Sequence, residues 1–259
     1  MDQDYESFKQ SINDQTGIDL SLYKEAQMKR RLLALRDKRS FTTFADYFRA
    51  LTKNPDLLLE FLDRMTINVS EFYRNPARWD VLEKKIIPLL VEDRSSLKVW
   101  SAACSTGEEP YSLSMLLSDY KKGLSTFSIL ATDLDQQVLD QAKKGFYFEK
   151  AIKDVPSDKI ARHTTKEELG ISVSDSIKKQ VTFKKQNLLS DRFESDFDLI
   201  VCRNVMIYFT EEAKTVLYQK FSKALRKGGV LFVGSTEQIF NPGLYDLESV
   251  EPFFYRKLK

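Results

Sequence analysis

The sequence is poor in the residues that build metal centres and disulfide frameworks. Its 259 residues include two cysteines, Cys104 and Cys202, and one histidine, His163. Two cysteines cannot form a disulfide framework, and with a single histidine we expect no metal site. No apolar run approaches the length of a membrane span and the N-terminus is polar. We therefore expect no signal peptide, no membrane insertion and a cytoplasmic location.

The charge balance argues against a nucleic-acid partner. Lysine and arginine number 40 against 38 aspartate and glutamate, so the net charge at pH 7 is +2. Nucleic-acid binding calls for a strongly basic surface, which such a balance does not favour. With 42% hydrophobic and 30% charged residues, the composition is that of an ordinary globular protein. The length suits one large domain or two modest ones.

Residues 99–112 form the most informative stretch. An apolar run over 99–103 predicts a buried strand, and Leu113 lies on the apolar face of the helix that follows. Between them, small residues such as Ala103 and Gly107 keep bulk away from a ligand, as glycines do in nucleotide-binding loops. Strand, turn and helix in this order open an α/β sheet, whose ligands lie beyond the carboxyl ends of the strands.

Two carboxylates, Glu108 and Glu109, stand at the start of that helix. Negative side chains there repel a phosphate but suit a cationic ligand. S-adenosylmethionine has an adenosyl group, no phosphate, and ammonium and sulfonium charges, so it fits this turn better than a dinucleotide. An ordinary strand-to-helix turn with acidic capping residues explains the same stretch equally well.

Residues 1–75 contain no convincing strand and predict a small all-α domain. The second helix is expected from about Ser21 to Arg39; Thr42 or Thr43 caps the third, and Asn54 caps the fourth. The second helix is rich in cations, which are Lys24, Lys29, Arg30, Arg31, Arg36, Lys38 and Arg39. This surface is either a solvated helix face or a docking site for an acidic partner. The docking candidates are Lys29, Arg30, Arg31 and Arg36.

Residues 76–259 predict an α/β domain. Strands and helices alternate from Leu97 onward, so we expect a doubly wound parallel sheet. A polar stretch at about 146–180 breaks the rhythm and predicts a small antiparallel β insertion, to which Val173, Ile177 and Val181 could belong. The parallel alternation is expected to resume at Val181-Thr182-Phe183. Segments 244–250 and 253–258 predict closing antiparallel strands. A helix from Thr210 through Leu225 is expected to stop at Lys227-Gly228-Gly229. Polar residues at successive strand ends converge on one edge of this sheet: Glu109, Asp133, Asn187 and Asn204.

Three long motifs resemble those of CheR-type chemotaxis receptor methyltransferases. They are Asn68-x-Ser70-x-Phe72-Tyr73-Arg74, the stretch from Trp100 to Ser112, and Cys202-Arg203-Asn204-Val205-Met206-Ile207-Tyr208-Phe209. The resemblance spans essentially the whole chain. It implies a doubly wound S-adenosylmethionine-dependent methyltransferase sheet with a β insertion, preceded by an all-α domain that docks receptors. It also implies methyl transfer to glutamate carboxylates on the cytoplasmic helices of methyl-accepting chemotaxis receptors for sensory adaptation, with S-adenosylhomocysteine as product and no metal. We expect the protein to act as a monomer.

The resemblance also assigns site residues. The cofactor-binding residues would be Asn68, Ser70, Arg74, Ala103, Glu109, Asp133, Asn187, Leu188, Arg203 and Asn204, and the catalytic residues Arg74, Arg203 and Tyr208. Within these, Glu109 and Asp133 would hold the charged and ribose groups of the cofactor, and Asn187 with Leu188 would flank the adenine. Two departures from the family pattern are visible. Ser70 stands where threonine is frequent, and the run from Gly234 to Glu237 lacks the histidine that is common there.

The chemistry of the residues agrees with this interpretation. A glutamate carboxylate titrates near 4 and is already a nucleophile at neutral pH, so attack on a sulfonium methyl needs no general base. It needs proximity, alignment and exclusion of water. Arg74 or Arg203 could orient the acceptor carboxylate, while Tyr208 could contact either the substrate or the cofactor.

Three other functions remain open at this point. A nucleic-acid base methyltransferase usually has an Asn/Asp-Pro-Pro-aromatic run after the fourth strand, where this chain has Arg203-Asn204-Val205-Met206. A non-catalytic module would bind the cofactor or a receptor without transferring methyl, and a helical adaptor would use only the basic helix. Some members of the family that the chain resembles tether to a receptor C-terminal peptide through a glycine-rich loop of this insertion. The insertion here, around Arg162 to Phe183, lacks such a loop, so the resemblance implies no need for tethering.

Overall fold

The computed structural model of the chain describes residues 3–66, 68–153 and 155–259. Ile67, which belongs to the motif around Asn68, lies outside the described residues. None of the helices in these ranges is long and apolar enough to cross a membrane.

The N-terminal part is a four-helix unit with its own core. Its helices are α1 Gln3–Thr16, α2 Glu25–Lys38, α3 Phe44–Lys53 and α4 Pro55–Met65, with a 3₁₀ turn at Leu20–Leu22 between the first two. Phe8 and Phe61 pack edge to face at its centre. The side chains of Thr43 and Asn54 accept hydrogen bonds from backbone N–H groups of α3 and α4, as their capping role requires. The predicted start of the second helix at Ser21 was wrong, because the chain first makes the 3₁₀ turn and becomes α-helical only at Glu25.

The remaining elements build the α/β part. The strands are β1 Ser96–Ala102, β2 Thr126–Asp133, β3 Phe146–Phe148, β4 Thr164–Lys166, β5 Gly170–Val173, β6 Val181–Lys185, β7 Phe197–Cys202, β8 Leu225–Val233, β9 Leu247–Glu251 and β10 Phe254–Lys257. The helices are α5 Pro76–Val81, α6 Ile87–Leu90, α7 Glu108–Asp119, α8 Gln136–Lys144, α9 Ser157–His163, α10 Asp175–Lys178 and α11 Glu211–Ala224. A π-helical turn, Leu82–Ile86, joins α5 to α6, and 3₁₀ turns cover Glu149–Ile152, Met206–Tyr208 and Pro242–Tyr245.

The main sheet has seven strands in the order β6-β2-β1-β7-β8-β10-β9. The first five are parallel to one another. Strand β10 pairs antiparallel with β8, and β9 pairs antiparallel with β10. The chain winds outward from β1 in both directions, so a crevice opens at the carboxyl ends of β1 and β7, where ligands of such sheets bind. This confirms the doubly wound sheet and its antiparallel closing strands.

A second sheet, β3-β5-β4, is antiparallel and forms the predicted insertion. One assignment near it was wrong, because Ile177 lies in helix α10. Of the two positions open to Val181, the structure shows the start of the next parallel strand, since Val181 begins β6, the edge strand of the main sheet. The C-terminal limit predicted for α11 was wrong too, because the helix ends at Ala224 and Lys227-Gly228-Gly229 lies within β8. A Cβ on Gly229 would come 2.7 Å from the carbonyl oxygen of Phe197, so the close approach of two backbones accounts for this glycine.

The helical unit is joined to the sheet by a short antiparallel bridge. The N–H of Thr210 donates to the carbonyl of Leu22 at 2.9 Å, and the N–H of Lys24 donates to the carbonyl of Tyr208 at 2.8 Å. Tyr23 and Phe209 are the paired residues, and their rings pack edge to face. The segment before α2 therefore lies directly against the chain that follows β7.

Candidate active site

A cleft lies between the carboxyl edge of the sheet and the helical unit. The space between its walls, with the part open to solvent included, is about 1190 Å³. Every predicted cofactor-binding or catalytic residue lines it, and these are Asn68, Ser70, Arg74, Ala103, Glu109, Asp133, Asn187, Leu188, Arg203, Asn204 and Tyr208. Of the predicted docking residues, Arg31 lines the cleft, while Lys29, Arg30 and Arg36 do not. Asn68 and Tyr208, 140 positions apart in the sequence, are thus brought to one site.

The turn after β1 has unusual backbone geometry. Ala103 and Ser105 adopt left-handed φ angles of +64° and +48°, which side chains with a Cβ rarely take. The N–H of Ser105 donates to Oδ2 of Asp133 at 2.8 Å, which ties the turn to the end of β2. Gly107 has a different role from the one expected. A Cβ there would lie 2.8 Å from the Cβ of Ala142, so this glycine makes room for α8 rather than for a ligand.

Glu109 and Arg203 form a buried pair at the base of the cleft. The hydroxyl of Ser101 donates to Oε1 of Glu109 at 2.8 Å, and Nη1 of Arg203 lies 3.7 Å from Oε2. Burial raises the pKa of the Glu109 carboxyl, and the Arg203 charge partly offsets that rise. Burial likewise lowers the pKa of the Arg203 guanidinium, which the Glu109 charge opposes. Each group therefore stabilises the charged form of the other.

The adjacent carboxylate, Glu108, does not line the cleft. Its side chain is buried and accepts a hydrogen bond from the hydroxyl of Thr106 at 2.7 Å. Burial raises its pKa, the hydrogen bond from Thr106 lowers it, and no cation is among the main causes. The expectation that both acids face a cationic ligand was therefore wrong for Glu108, because consecutive helix residues point about 100° apart.

Asp133 is held at the end of β2 by backbone donors. Besides the Ser105 N–H on Oδ2, its Oδ1 accepts from the N–H of Asp135 at 3.0 Å. Burial raises its pKa, while these backbone hydrogen bonds lower it. A carboxylate has about four acceptor positions, so Asp133 retains capacity for donors from a ligand such as ribose hydroxyls.

Asn187 and Leu188 follow β6 on the same edge. The Asn187 side chain is anchored, since Oδ1 accepts from the N–H of Leu189 at 3.0 Å and Nδ2 donates to the carbonyl of Gly17 at 3.3 Å. Leu188 is buried in the apolar cluster around Trp100. The two residues form a fixed wall of the cleft, and the hydrogen bond to the Gly17 carbonyl connects this wall to the helical unit.

The predicted catalytic residues lie where the two units meet. Nη2 of Arg203 donates to the carbonyl of Arg74 at 2.7 Å, so the segment before α5 is fastened to the turn after β7. The guanidinium of Arg31 lies 5.9 Å from the ring centre of Tyr208, and its Nη1 donates to the carbonyl of Met65 at 2.8 Å. Arg31 thus belongs to the cleft wall, which the sequence pattern of α2 did not indicate.

Several lining residues were missed from the sequence. The helical unit and the segment that connects it to the sheet contribute Tyr23, Gln27, Met28, Val69 and Glu71. Gln186, which directly follows β6, is a further one. Gln27, Met28 and Arg31 lie on one face of α2, at the spacing of neighbouring helical turns. The spacing was visible in the sequence, but nothing local indicates which face meets the sheet.

The cleft retains polar atoms that have no partner within the protein. Across the described ranges, three buried side-chain atoms lack a hydrogen-bond partner: Ser105 Oγ, Gln186 Oε1 and Arg203 Nε. All three belong to cleft-lining residues. Unpaired buried polar groups are costly, so they mark positions that a polar ligand would satisfy. The described part of the chain holds no cluster of His, Cys, Asp and Glu suited to a metal ion.

The doubly wound sheet, with Glu109 in the first turn of the helix after β1 and Asp133 at the end of β2, defines an S-adenosylmethionine-dependent methyltransferase. Comparison with known families agrees. Residues 68–253 match the CheR methyltransferase, SAM binding domain, and residues 3–66 match the CheR methyltransferase, all-alpha domain. The chain belongs to the CheR methyltransferase family. The resemblance found in the motifs and the expected cofactor are thereby confirmed.

Similar proteins cover nearly the whole chain. A chemotaxis protein methyltransferase of Listeria monocytogenes serovar 1/2a is 46% identical over 260 residues, covering 99% of this chain and 98% of the relative. One from Borreliella burgdorferi is 37% identical over 254 residues, covering 93% of this chain and 89% of the relative. Among solved structures, PKMT2 from Rickettsia typhi in complex with AdoHcy has a TM-score of 0.37 and 18% identity, covering 58% of this chain and 24% of that one. That likeness is too low to bear on function.

Proposed function

We propose that the protein transfers methyl from S-adenosylmethionine to glutamate side chains on the cytoplasmic helices of chemotaxis receptors, as glutamyl methyl esters. The observation that supports this most is the composition of the cleft. Glu109 and Asp133 suit a cationic adenosyl cofactor, and Arg74 and Arg31 in the same cleft suit an anionic acceptor. No imidazole is among the described lining residues, since His163 lies in α9 with Nε2 2.9 Å from Asp119.

The cofactor supplies a methyl group made electrophilic by its sulfonium charge. Glu109 would attract the cationic end of the cofactor, Asp133 would accept from ribose hydroxyls, and Asn187 with Leu188 would flank the adenine. Asn68 and Ser70 would close the cleft from the side of the helical unit. Asn68 is positioned for this by its amide, which donates to Oδ2 of Asp135 at 3.2 Å and so links the connecting segment to the start of α8.

The acceptor needs orientation more than activation. A glutamate carboxylate is ionised at neutral pH and attacks without a base, so the protein has to align it and exclude water. The side chain of Arg203 is only 3% exposed and already paired with Glu109, which suits it to shaping the site. Arg74 and Arg31 are less buried, so we assign them the contact with the acceptor. Tyr208, beside Arg31, would bound the same position.

The receptor helix would dock on α2. Arg30 is exposed, and the face bearing Lys24, Gln27 and Arg31 reaches the cleft itself. An acidic helix lying along this surface would bring its glutamates to the cleft mouth. Part of the positive charge is already compensated, because Arg36 pairs with Asp37, and Lys38 and Arg39 both pair with Glu60. Of the four candidate docking residues, Lys29, Arg30, Arg31 and Arg36, we therefore expect Arg30 to contribute more than Arg36.

The test uses a receptor cytoplasmic fragment and methyl-labelled cofactor. A matched fragment has the surface glutamates of its helices replaced by glutamine, which keeps size and polarity but removes the nucleophile. Label should enter the first fragment and not the second. Equal labelling of both fragments would show that the acceptor is not a glutamate carboxylate. Binding of cofactor with no labelling of either would point to a regulatory module.

A further inference from the structure

One buried carboxylate outside the cleft is connected directly to the turn that carries the catalytic residues. Glu237 is 4% exposed and follows β8. Its Oε2 accepts from the N–H of Asn204 at 2.7 Å, and its Oε1 accepts from the N–H of Ile207 at 3.2 Å. The N–H of Gly234 also donates to Oε2, at 2.8 Å. The carboxylate therefore accepts hydrogen bonds from three backbone N–H groups, two of which lie in the turn after β7.

That turn has a conformation that needs external support. Asn204 has a left-handed φ of +61°, a region that residues with a side chain adopt rarely. The following 3₁₀ turn, Met206–Tyr208, has no side-chain cap from Val205, the residue at its N-cap position. The carboxylate of Glu237 takes the place of that cap, because it accepts from the otherwise unpaired N–H of Ile207.

The glycine before Glu237 fits the same arrangement. A Cβ on Gly234 would overlap Oε2 of Glu237 and would come 2.9 Å from the N–H nitrogen of Asn204. The absence of a side chain at 234 is what lets the carboxylate reach the turn. The φ angle of Gly234 lies outside the left-handed region, so close approach rather than backbone freedom accounts for this glycine.

We infer that Glu237 is a positioning residue for methyl transfer, which sets the conformation of the Asn204–Tyr208 turn from behind. Glu237 does not line the cleft, whereas Asn204, Val205 and Tyr208 do. It therefore acts on cofactor and acceptor through those residues. The kinetic part of this inference rests on the proposed function; the conformational part does not.

The test compares Glu237→Gln with the matched control Glu92→Gln, an exposed glutamate in the loop before β1. Glutamine keeps the shape but turns an NH₂ group toward backbone N–H donors. We expect faster amide exchange at Asn204 and Ile207, by about tenfold or more, with the rest of the sheet protected as in the wild type. We expect kcat per folded molecule to fall about ten- to hundredfold, since small misplacements in a site have effects of that size. KM for the cofactor should change less than kcat.

Wild-type exchange at Asn204 and Ile207, or a kcat within about twofold of the control, would overturn the inference. A purely structural role would lower the folded fraction and leave kcat per folded molecule unchanged. If Glu237→Gln does not fold, Gly234→Ala displaces the carboxylate without removing it and should show the same two effects, in weaker form; wild-type behaviour there would equally overturn the inference. If the wild-type enzyme labels no receptor, the proposed function fails, while the exchange measurement still decides whether Glu237 holds the turn.

Discussion

Substitution by glutamine should lower stability and cofactor affinity at Glu109 but not at the adjacent Glu108, although both acids lie at the start of α7. Glu109 has Arg203 as a partner 3.7 Å away, whereas no cation is among the main causes of the pKa shift of the buried Glu108. At that separation, and at an effective dielectric constant near 20, the attraction in the Glu109 pair is roughly 4 kcal/mol before the cost of burying both charges. After that cost we expect a net loss of about 1–3 kcal/mol in Glu109→Gln, because the guanidinium is left buried without its counter-charge.

For Glu108→Gln we expect no loss of stability. The folded-state pKa of Glu108 is raised by burial, so the carboxyl contributes most to stability when it is protonated and loses that contribution as the pH rises through its folded pKa. A neutral glutamine removes the penalty, and stability at pH 8 should be unchanged or higher. Cofactor affinity should be close to that of the wild type, because Glu108 lies outside the cleft.

The assay is thermal unfolding at pH 8 together with titration calorimetry of S-adenosylmethionine. For Glu109→Gln we expect a midpoint lower by a few degrees and a Kd at least about tenfold weaker, which corresponds to 1.4 kcal/mol. For Glu108→Gln we expect neither change. Equal destabilisation by both substitutions would show that the Arg203 charge does not distinguish Glu109 from Glu108. Wild-type affinity in Glu109→Gln would show that Glu109 does not bind the cofactor.

Three further predictions follow from the site and its surroundings. Burial raises the pKa values of Glu109 and Asp133, so cofactor affinity should fall as the pH is lowered from neutrality through the weakly acidic range, and a Kd that stays constant there would count against their role. Reversal of Arg30 and Arg36 to glutamate should raise KM for a receptor fragment several-fold, more at low salt, and leave the Kd of the cofactor unchanged; unchanged receptor kinetics would exclude α2 as the docking surface. A receptor C-terminal peptide should show no tight binding in calorimetry, and tight binding would show that a tether is used.

The parts of the fold with local causes could be predicted from the sequence. Thr43 and Asn54 cap their helices through side-chain hydrogen bonds to residues two or three positions away, so their role is visible without the rest of the molecule. The place of Glu109 and Asp133 in the cleft could be predicted because parallel strands bring their carboxyl ends, and the residues that follow them, to one edge. Their presence in one cleft follows from topology, not from distance along the chain.

Features that depend on contacts between residues far apart in the sequence could not be predicted. Glu237 reaches Asn204 across 33 positions, and no spacing rule links them. The inward face of α2 depends on how the helical unit is joined to the sheet, which is decided by the bridge between Tyr23 and Phe209. The choice between the two positions open to Val181, the insertion or the next parallel strand, depends on its pairing with Ile129 in β2. In each case the deciding contact is tertiary, and the residues themselves fit more than one arrangement.

The most direct test of the central claim is the stability to alkali of the methyl group that the enzyme transfers. Receptor-containing membranes are incubated with the enzyme and methyl-labelled S-adenosylmethionine, and the washed product is treated with alkali. We expect the label to be released as volatile methanol, because a glutamyl methyl ester hydrolyses under these conditions. Label that stays with the protein after this treatment would indicate methylation of nitrogen or carbon and would contradict the assignment of a carboxylate acceptor.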